Sequence, residues 1–359
     1  MKNLYKPPKP IKKISLGVLP SKGITSSRLW SFLKTINLLY EDNLSDNSIL
    51  FFENIGSNFD DLLNIKFNKN DLIVIDDTYE GLLTQQQVNK IMSLGVNYAI
   101  CSSNEKLTGK NVYFFSFHII YSHYDNIYVQ EEISPNLELR NNKFLSLNKQ
   151  TRTHRLQLVD YLIEKNLLKT SIVSCDKLEL HSLNENSILD LELKRLPPST
   201  INRLYDILPL ILDDTNNRKH LQNPLKFYQN SYWSLIGERD FYSDEYLGWT
   251  EKVLKSILFY HPFIVIGLPH TLHSLKQLGF KTFNNIIDES YDSIEDPDER
   301  FKQIKLQIDY LASLTIEEHH QLYIDLMPTL EYNRKLYQKL NITSSPVDLI
   351  NQLTSAKLK

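Results

Sequence analysis

This chain lacks most of the signatures that announce a chemistry. Only two of its 359 residues are cysteine. Cys101 and Cys175 each stand alone in an apolar, strand-like run, which suits buried small hydrophobes in a reducing compartment, with a disulfide between them as the lesser alternative. There are no paired cysteines and no His-Glu-x-x-His, so the spacing of a zinc site is missing and no metal ligands are assigned. There is no Gly-x-Gly-x-x-Gly and no Walker loop, which argues against a nicotinamide dehydrogenase or a P-loop phosphotransferase. No apolar run reaches the ~18 residues of a membrane helix. The formal net charge is -3, so there is no global basic field and nucleic-acid binding would need a local patch. No internal repeat appears at a period of roughly 20 to 50 residues.

What is present is enough for a large core. With 42% hydrophobic and 23% charged residues, the chain is expected to fold as two domains rather than one. The N-terminal MKNLYKPPKPIKK is basic and proline-rich and leads into a strand-like run, without the apolar stretch and cleavage site of a signal peptide. A soluble cytoplasmic protein is expected. The bias toward Asn, Lys, Ile and Tyr is what AT-rich coding would produce, pointing to a viral or AT-rich bacterial source, with the host cytoplasm as location in the viral case.

The element pattern is α/β. Ile14–Pro20 reads as a strand and the run from Ser26 as a helix with apolar Leu29, Trp30, Leu33, Ile36 and Leu39. Strands follow at Ser48–Asn54 and Asp71–Asp77, the latter a continuous apolar run of the kind covered on both faces. TQQQVNKIMSLG reads as a helix closed by Gly95, and NYAICSS and NVYFFSFHII as strands. Residues 1–135 are read as one α/β domain and 136–359 as a second with C-terminal helices. The polar stretch Gln130–Asn142 is the crossover. The second series begins with the strand KFLSLN, the turn KQTRTHR, the helix LQLVDYLIEKN and the strand TSIVSC. Asp176–Asn230 offers one candidate hairpin, a Pro197-Pro198 break and a helical segment before Leu208-Pro209. Ser231–Asp292 gives a strand ending at Glu238, an acidic loop, a helix opened by Thr250-Glu251-Lys252, a buried strand at Pro262–Ile266, a Gly-Leu-Pro-His turn and a helix closed by Gly279. A long amphipathic helix starts near Pro297, two more are divided near Pro328, and SPVDLINQLTSAKLK is a capped terminal helix.

Ligands in such folds sit beyond the carboxyl ends of parallel strands, and the candidate residues are those at such ends. Asn148, Arg152, His154 and Arg155 lie where a strand passes into a helix, a place for a diphosphate or simply a solvated basic turn. Thr250 is a cap, Glu251 a first-turn acid able to accept both hydroxyls of a ribose, and Lys252 a phosphate partner; a plain helix start is the alternative. Glu238 is an open-site acid or a surface residue that turns the chain. His270, in the turn before a helix, is a further ligand-side candidate, whereas His261 and His273 are expected to satisfy local bonds or lie at the surface. His319-His320 reads as a solvated helix face. Asp76 and Asp77 close a strand of the first domain, as a general base for an acceptor hydroxyl or as caps of the next turn; Glu53 is a parallel candidate. Trp249 is a candidate cleft wall, and Trp30 and Trp233 read as core or wall.

Taken together, FLSLNKQTRTHRLQLVDYLIEKNLLKTSIVS, SYWSLIGERDF, TEKVLKSILFYHPFIVIGLPHTLHSLKQLGFKTF and IDESYDSIEDPDERFKQI resemble the C-terminal half of phage and viral glycosyltransferase-like proteins. The Thr-Glu-Lys helix start is also similar to the Glu-Lys element of α-1,3-fucosyltransferases. The resemblance covers about Lys143 to Lys305; one departure is Glu238-Arg239, where the group more often has Glu-Thr. It implies a GT-B-like fold, two Rossmann-like domains facing across a cleft, with the nucleotide-sugar donor on the C-terminal side, the acceptor on the N-terminal side and no obligatory metal or further cofactor. Glu251 would then hold the ribose, and Arg152, Arg155 and Lys252 would neutralise the leaving diphosphate. The expected function is glycosyl transfer to a glycan or a modified nucleic-acid base; a DNA-directed version would need a basic acceptor face drawing on Lys6, Lys9, Lys12 and Lys13. The alternative is a noncatalytic α/β nucleotide- or glycan-binding or structural module of a virus or phage.

Overall fold

In a computed structural model the described residues are 49–53, 59–63, 72–77, 83–102, 104, 107–114, 133–148, 151–178, 195–212, 225–242 and 250–343. The strand read at Ile14–Pro20, the helix after Ser26, the four N-terminal lysines, Trp30, Trp249 and the terminal helix lie outside them. The chain divides into two units, Met1–Asn126 with Leu340–Lys359, and Ile127–Lys339. No helix among the described residues is long and apolar enough to cross a membrane.

The first unit holds a parallel sheet ordered β1-β2-β3-β4, from β1 (Ile49–Glu53), β2 (Leu72–Asp77), β3 (Asn97–Ser102) and β4 (Val112–Phe114). The period of two along a strand sorts its apolar residues. Ile73 and Ile75 join Tyr98 and Ile100 in one cluster, on which α1 (Phe59–Leu63) lays Phe59 and Leu62, and α2 (Gln85–Met92) lays Val88 and Ile91. The start of α2 is fixed by a capping box: Thr84 accepts from the Gln87 N–H, and the Gln87 side chain accepts from the Thr84 N–H at 2.9 Å. The helix closes at Ser93, and Gly95, with φ of +69°, carries the reversal that only glycine takes at no cost.

The second unit holds the parallel sheet β6-β5-β7-β8, from β5 (Asn142–Leu147), β6 (Ser171–Ser174), β7 (Ser231–Gly237) and β8 (Phe263–Ile266). Every residue of β7 is buried, as a central strand covered on both faces requires. The helices are α3 (Thr153–Glu164), α4 (Pro198–Ile207), α5 (Leu225–Gln229), α6 (Glu251–Leu258), α7 (Thr271–Gln277), α8 (Pro297–Ser313) and α9 (Ile316–Thr343). Proline opens α4 and α8, where its missing N–H costs nothing. Helix α4 stops before Leu208, whose extended backbone (ψ 145°) is what a following proline imposes.

Two sequence expectations are overturned by the structure, and the crossover between them is firmer than its polar composition suggests. The two helices expected on either side of Pro328 are one, α9. An interior proline costs about 3 kcal/mol, but Tyr323, Leu326, Leu330 and Tyr337 are all buried along one stripe that continues past the exposed proline on the opposite face. Each contributes about 1.5–3 kcal/mol, so packing outweighs the break. The crossover Gln130–Asn142 is irregular where described, at residues 133–141, yet it is anchored rather than loose. Arg140 is 2% exposed and donates to the carbonyls of Ser231 (2.6 Å), Asn136 (2.8 Å) and Tyr228 (3.3 Å), with its guanidinium 3.7 Å from the Tyr323 ring centre. Finally, His319 is no solvated residue. Its ring stacks on Tyr232 at 5.6 Å and its Nε2 donates to the Leu311 carbonyl at 2.9 Å, while His320 Nδ1 accepts from the Tyr232 hydroxyl at 3.1 Å.

His261 is buried as well, donating from Nε2 to the Ser231 carbonyl (2.7 Å) and accepting at Nδ1 from Ser234 (2.7 Å). Burial pushes His261 down to about 3 and His319 down to about 4, from an ordinary 6.5. The unfolded chain therefore takes up two protons that the folded chain refuses, so stability present above the ordinary value is lost as pH falls below it. Each histidine removes ~1.4 kcal/mol per pH unit in that window. Between pH 7 and pH 5 these two and His154, which burial and the Arg155 charge likewise push down to about 3, should together lower the unfolding free energy by about 6 kcal/mol, read from urea denaturation, and His261→Gln should remove about a third of that dependence.

Candidate functional site

The order β6-β5-β7-β8 means that the chain leaves β5 for one side of the sheet and later returns to β7 on the other. The reversal creates a switch point between β5 and β7, and open α/β sheets take their ligands beyond the carboxyl ends of the strands at such a point. Asn148 follows β5 and Glu238 follows β7, while α3 and α6 begin above the same edge.

Glu238 is the meeting point of these elements. Its N–H donates to the Ile266 carbonyl at 2.9 Å, continuing the ladder to β8. Its carbonyl accepts from His154 Nε2 at 2.8 Å and from Arg155 Nη2 at 2.8 Å, both in the first turn of α3. Its carboxylate accepts from the Thr250 N–H (2.9 Å) and the Thr250 hydroxyl (2.6 Å), at the cap of α6. The side chain is fully buried, and burial raises its pKa while Lys252 and the Thr250 bonds act the other way. Instead of an open acid or a surface turn residue, Glu238 is the internal tie between two helix starts.

The basic cluster read from the sequence divides by role. Arg155 is 4% exposed; its Nε donates to the Gly237 carbonyl at 3.1 Å beside the bond to Glu238. His154 stacks on Phe241 at 5.4 Å, and burial, then the Arg155 charge, pushes it down to about 3, so it is neutral and carries its proton on Nε2. These two hold the loop after β7. Arg152, half-buried, takes the N-cap position of α3 with extended backbone. The Glu251 and Lys252 side chains are 40% and 23% exposed, and the Lys252 ammonium lies 3.2 Å from the Thr250 hydroxyl. The two helix starts share one electrostatic neighbourhood, since the Glu251 charge acts on Arg155 and the Lys252 charge on His154.

Two features of this edge were not singled out by sequence. Gly237 leaves room for α3: a Cβ there would stand 2.7 Å from Arg155 Cγ and 2.9 Å from Asn148 Oδ1. A glycine at the end of a fully buried strand that otherwise carries Tyr, Trp, Leu, Ile and two Ser is the available signal of such a close approach. Arg300, 2% exposed, donates to the carbonyls of Gly267 (3.2 Å) and Phe241 (2.5 Å), fixing the ends of β8 and of the loop after β7. Asn148 is buried, with Nδ2 donating to Ser146 at 2.9 Å.

The other candidates lie elsewhere. His270 bonds Glu295 at 3.1 Å, and the first amides of α7 are already occupied, Leu272 and His273 donating to the Asp292 carboxylate at 2.8 and 2.9 Å. In the first unit, Asp77 accepts from Ser102 (2.5 Å) and from the Leu83 N–H (3.3 Å), so it ties the end of β2 to β3 and to the residue that precedes the cap of α2. Asp76 is 2% exposed and pairs in register with Cys101, whose thiol is pushed up by burial and by the Asp76 charge. Glu53 ends β1. Comparison of the chain with protein-family models, curated proteins and solved structures returned no match.

The contact above Gly237 gives a direct test. Gly237→Ala forces a methyl against a buried, doubly bonded arginine and should cost about 1–3 kcal/mol, seen as a lower urea midpoint at unchanged slope.

Proposed function

We propose that the protein is a glycosyltransferase of the GT-B kind that binds a nucleotide sugar at the β5–β7 switch point of its second unit and transfers the sugar to a glycan or a modified nucleic-acid base. The observation that supports this is the convergence of two helix starts, carrying Arg152, Glu251 and Lys252, beyond the carboxyl ends of a parallel sheet. Helix starts favour anions through their unpaired amides and dipole. In sugar transfer, negative charge develops on the departing diphosphate, where fixed positive groups are most effective. Arg152 and Lys252 serve that role in this reading, and the partly exposed Glu251 accepts the ribose hydroxyls. Arg155, His154 and Glu238 keep the frame rather than meeting the ligand. The finer GT-B assignment rests on the sequence resemblance over about Lys143 to Lys305.

A second reading, a nucleotide-binding module without transfer, is favoured by one observation: Glu238, His154 and Asp77, three groups suited to proton transfer, are all bound internally. Melting curves with UDP, GDP, TDP, ADP and CMP separate these readings from no nucleotide function at all. One of them should raise the melting temperature by several degrees when present at about 100 times its Kd. Glu251→Ala and Arg152→Ala, which spare the buried frame, should abolish the rise. Release of nucleoside diphosphate from the matching nucleotide sugar then selects the enzyme over the module. No shift with any nucleotide rejects both.

A further inference from the structure

We infer that Glu238 and Thr250 act as positioning residues that fix the ammonium of Lys252 at the start of α6, through a continuous chain of hydrogen bonds from carboxylate to hydroxyl to ammonium. Thr250 Oγ1 donates to Glu238 Oε2 at 2.6 Å and accepts from Lys252 Nζ at 3.2 Å and from the Lys252 N–H at 3.4 Å. A hydroxyl offers one proton and two lone pairs, so all of its capacity is used. The direction of each bond is thereby set. Because the hydroxyl proton is committed to Glu238, its lone pairs face Lys252, and the ammonium has a reason to fold back over the cap.

The first link is the strong one. A 2.6 Å bond from hydroxyl to carboxylate falls in the charge-assisted range, and the Thr250 N–H holds the other carboxylate oxygen at 2.9 Å. Glu238 is itself immobile, gripped at its N–H by β8 and at its carbonyl by His154 and Arg155. The charged groups around it are Lys252 and Glu251 on α6 and Arg155 on α3. The buried carboxylate therefore orients a cation whose side chain is still 23% exposed. Lysine is a flexible point charge with several rotatable bonds, and tethering it lowers the ordering cost of meeting an anion. The hydrogen-bond chain stands on its own geometry; its consequence for a diphosphate ligand rests on the reading proposed above.

Competitive acetylation of the full-length protein with acetic anhydride, quantified by mass spectrometry, tests the chain without any ligand. Lys302 and Lys335, with side chains 64% and 76% exposed, serve as internal references. Thr250→Val, which keeps the shape and removes the hydroxyl, should raise the Lys252 rate by about tenfold, the order of one hydrogen bond to a charged group. Glu238→Gln should raise it too, and Thr250→Ser should leave it at the wild-type rate. Should Thr250→Val not fold, Glu238→Gln against Thr250→Ser still decides the matter. A Lys252 rate unchanged in folded Thr250→Val, or in folded Glu238→Gln, overturns the inference. A second arm measures the melting shift given by the five nucleotides and by inorganic pyrophosphate. If the labelling responds and none of these ligands shifts any form of the protein, the positioning role stands and the glycosyltransferase reading falls. If a ligand shifts the wild type and Thr250→Val weakens its binding to the same extent with or without Lys252→Ala, the tether has no part in binding and the inference fails on that side.

Discussion

A single buried carboxylate organises the second unit. Taking an ionised glutamate out of water is costly unless its oxygens and its surroundings compensate, and here the compensation comes from the cap of α6. The same residue's main chain serves the start of α3 and the ladder to β8. Two helices and two strands thus register against one point, which explains how helix starts that are almost a hundred positions apart along the chain come to share an edge. Removing the side chain would strand the cap of α6 while leaving α3 attached, so the two helices depend on different parts of the same residue.

Across the unit arginine serves repeatedly as an internal fastener. Arg140, Arg155, Arg300 and Arg334 are all nearly buried, and each donates to main-chain carbonyls. Arg140 lies over Tyr323, Arg300 over Phe241 and Arg334 over Tyr260. Burial opposes the charge in each case. Carbonyl acceptors and aromatic faces offset part of that cost. Irregular segments such as 133–141 and 238–242 are fixed in this way.

The architecture was legible because it is written in local patterns. Apolar runs marked β2 and β8, Pro297 marked the start of α8, and Thr250 marked the cap of α6. The clustering of Asn148, His154, Arg155, Glu238 and Thr250 was legible as well, since strand ends in a parallel sheet fall on one edge. What could not be read was the direction in which each side chain spends its bonds. Glu238 at a strand end looks the same whether it opens to solvent or closes on Thr250, and only the position of α6 decides. His319-His320 has the same ambiguity, because burial there depends on Tyr232, remote in sequence. Pro328 misled for a different reason: a local penalty was outweighed by a buried stripe whose partners lie far along the chain.

The four internal arginines grip carbonyl oxygens, and every amino acid carries one. The grip itself is therefore indifferent to the side chain at the position it holds, whereas the arginines themselves and the bare Cα of Gly237 cannot drift. A scaffold fastened like this can lose nearly all resemblance to its kin while keeping its shape, and the surviving signature would be a sparse set of guanidinium groups and one glycine rather than any contiguous motif.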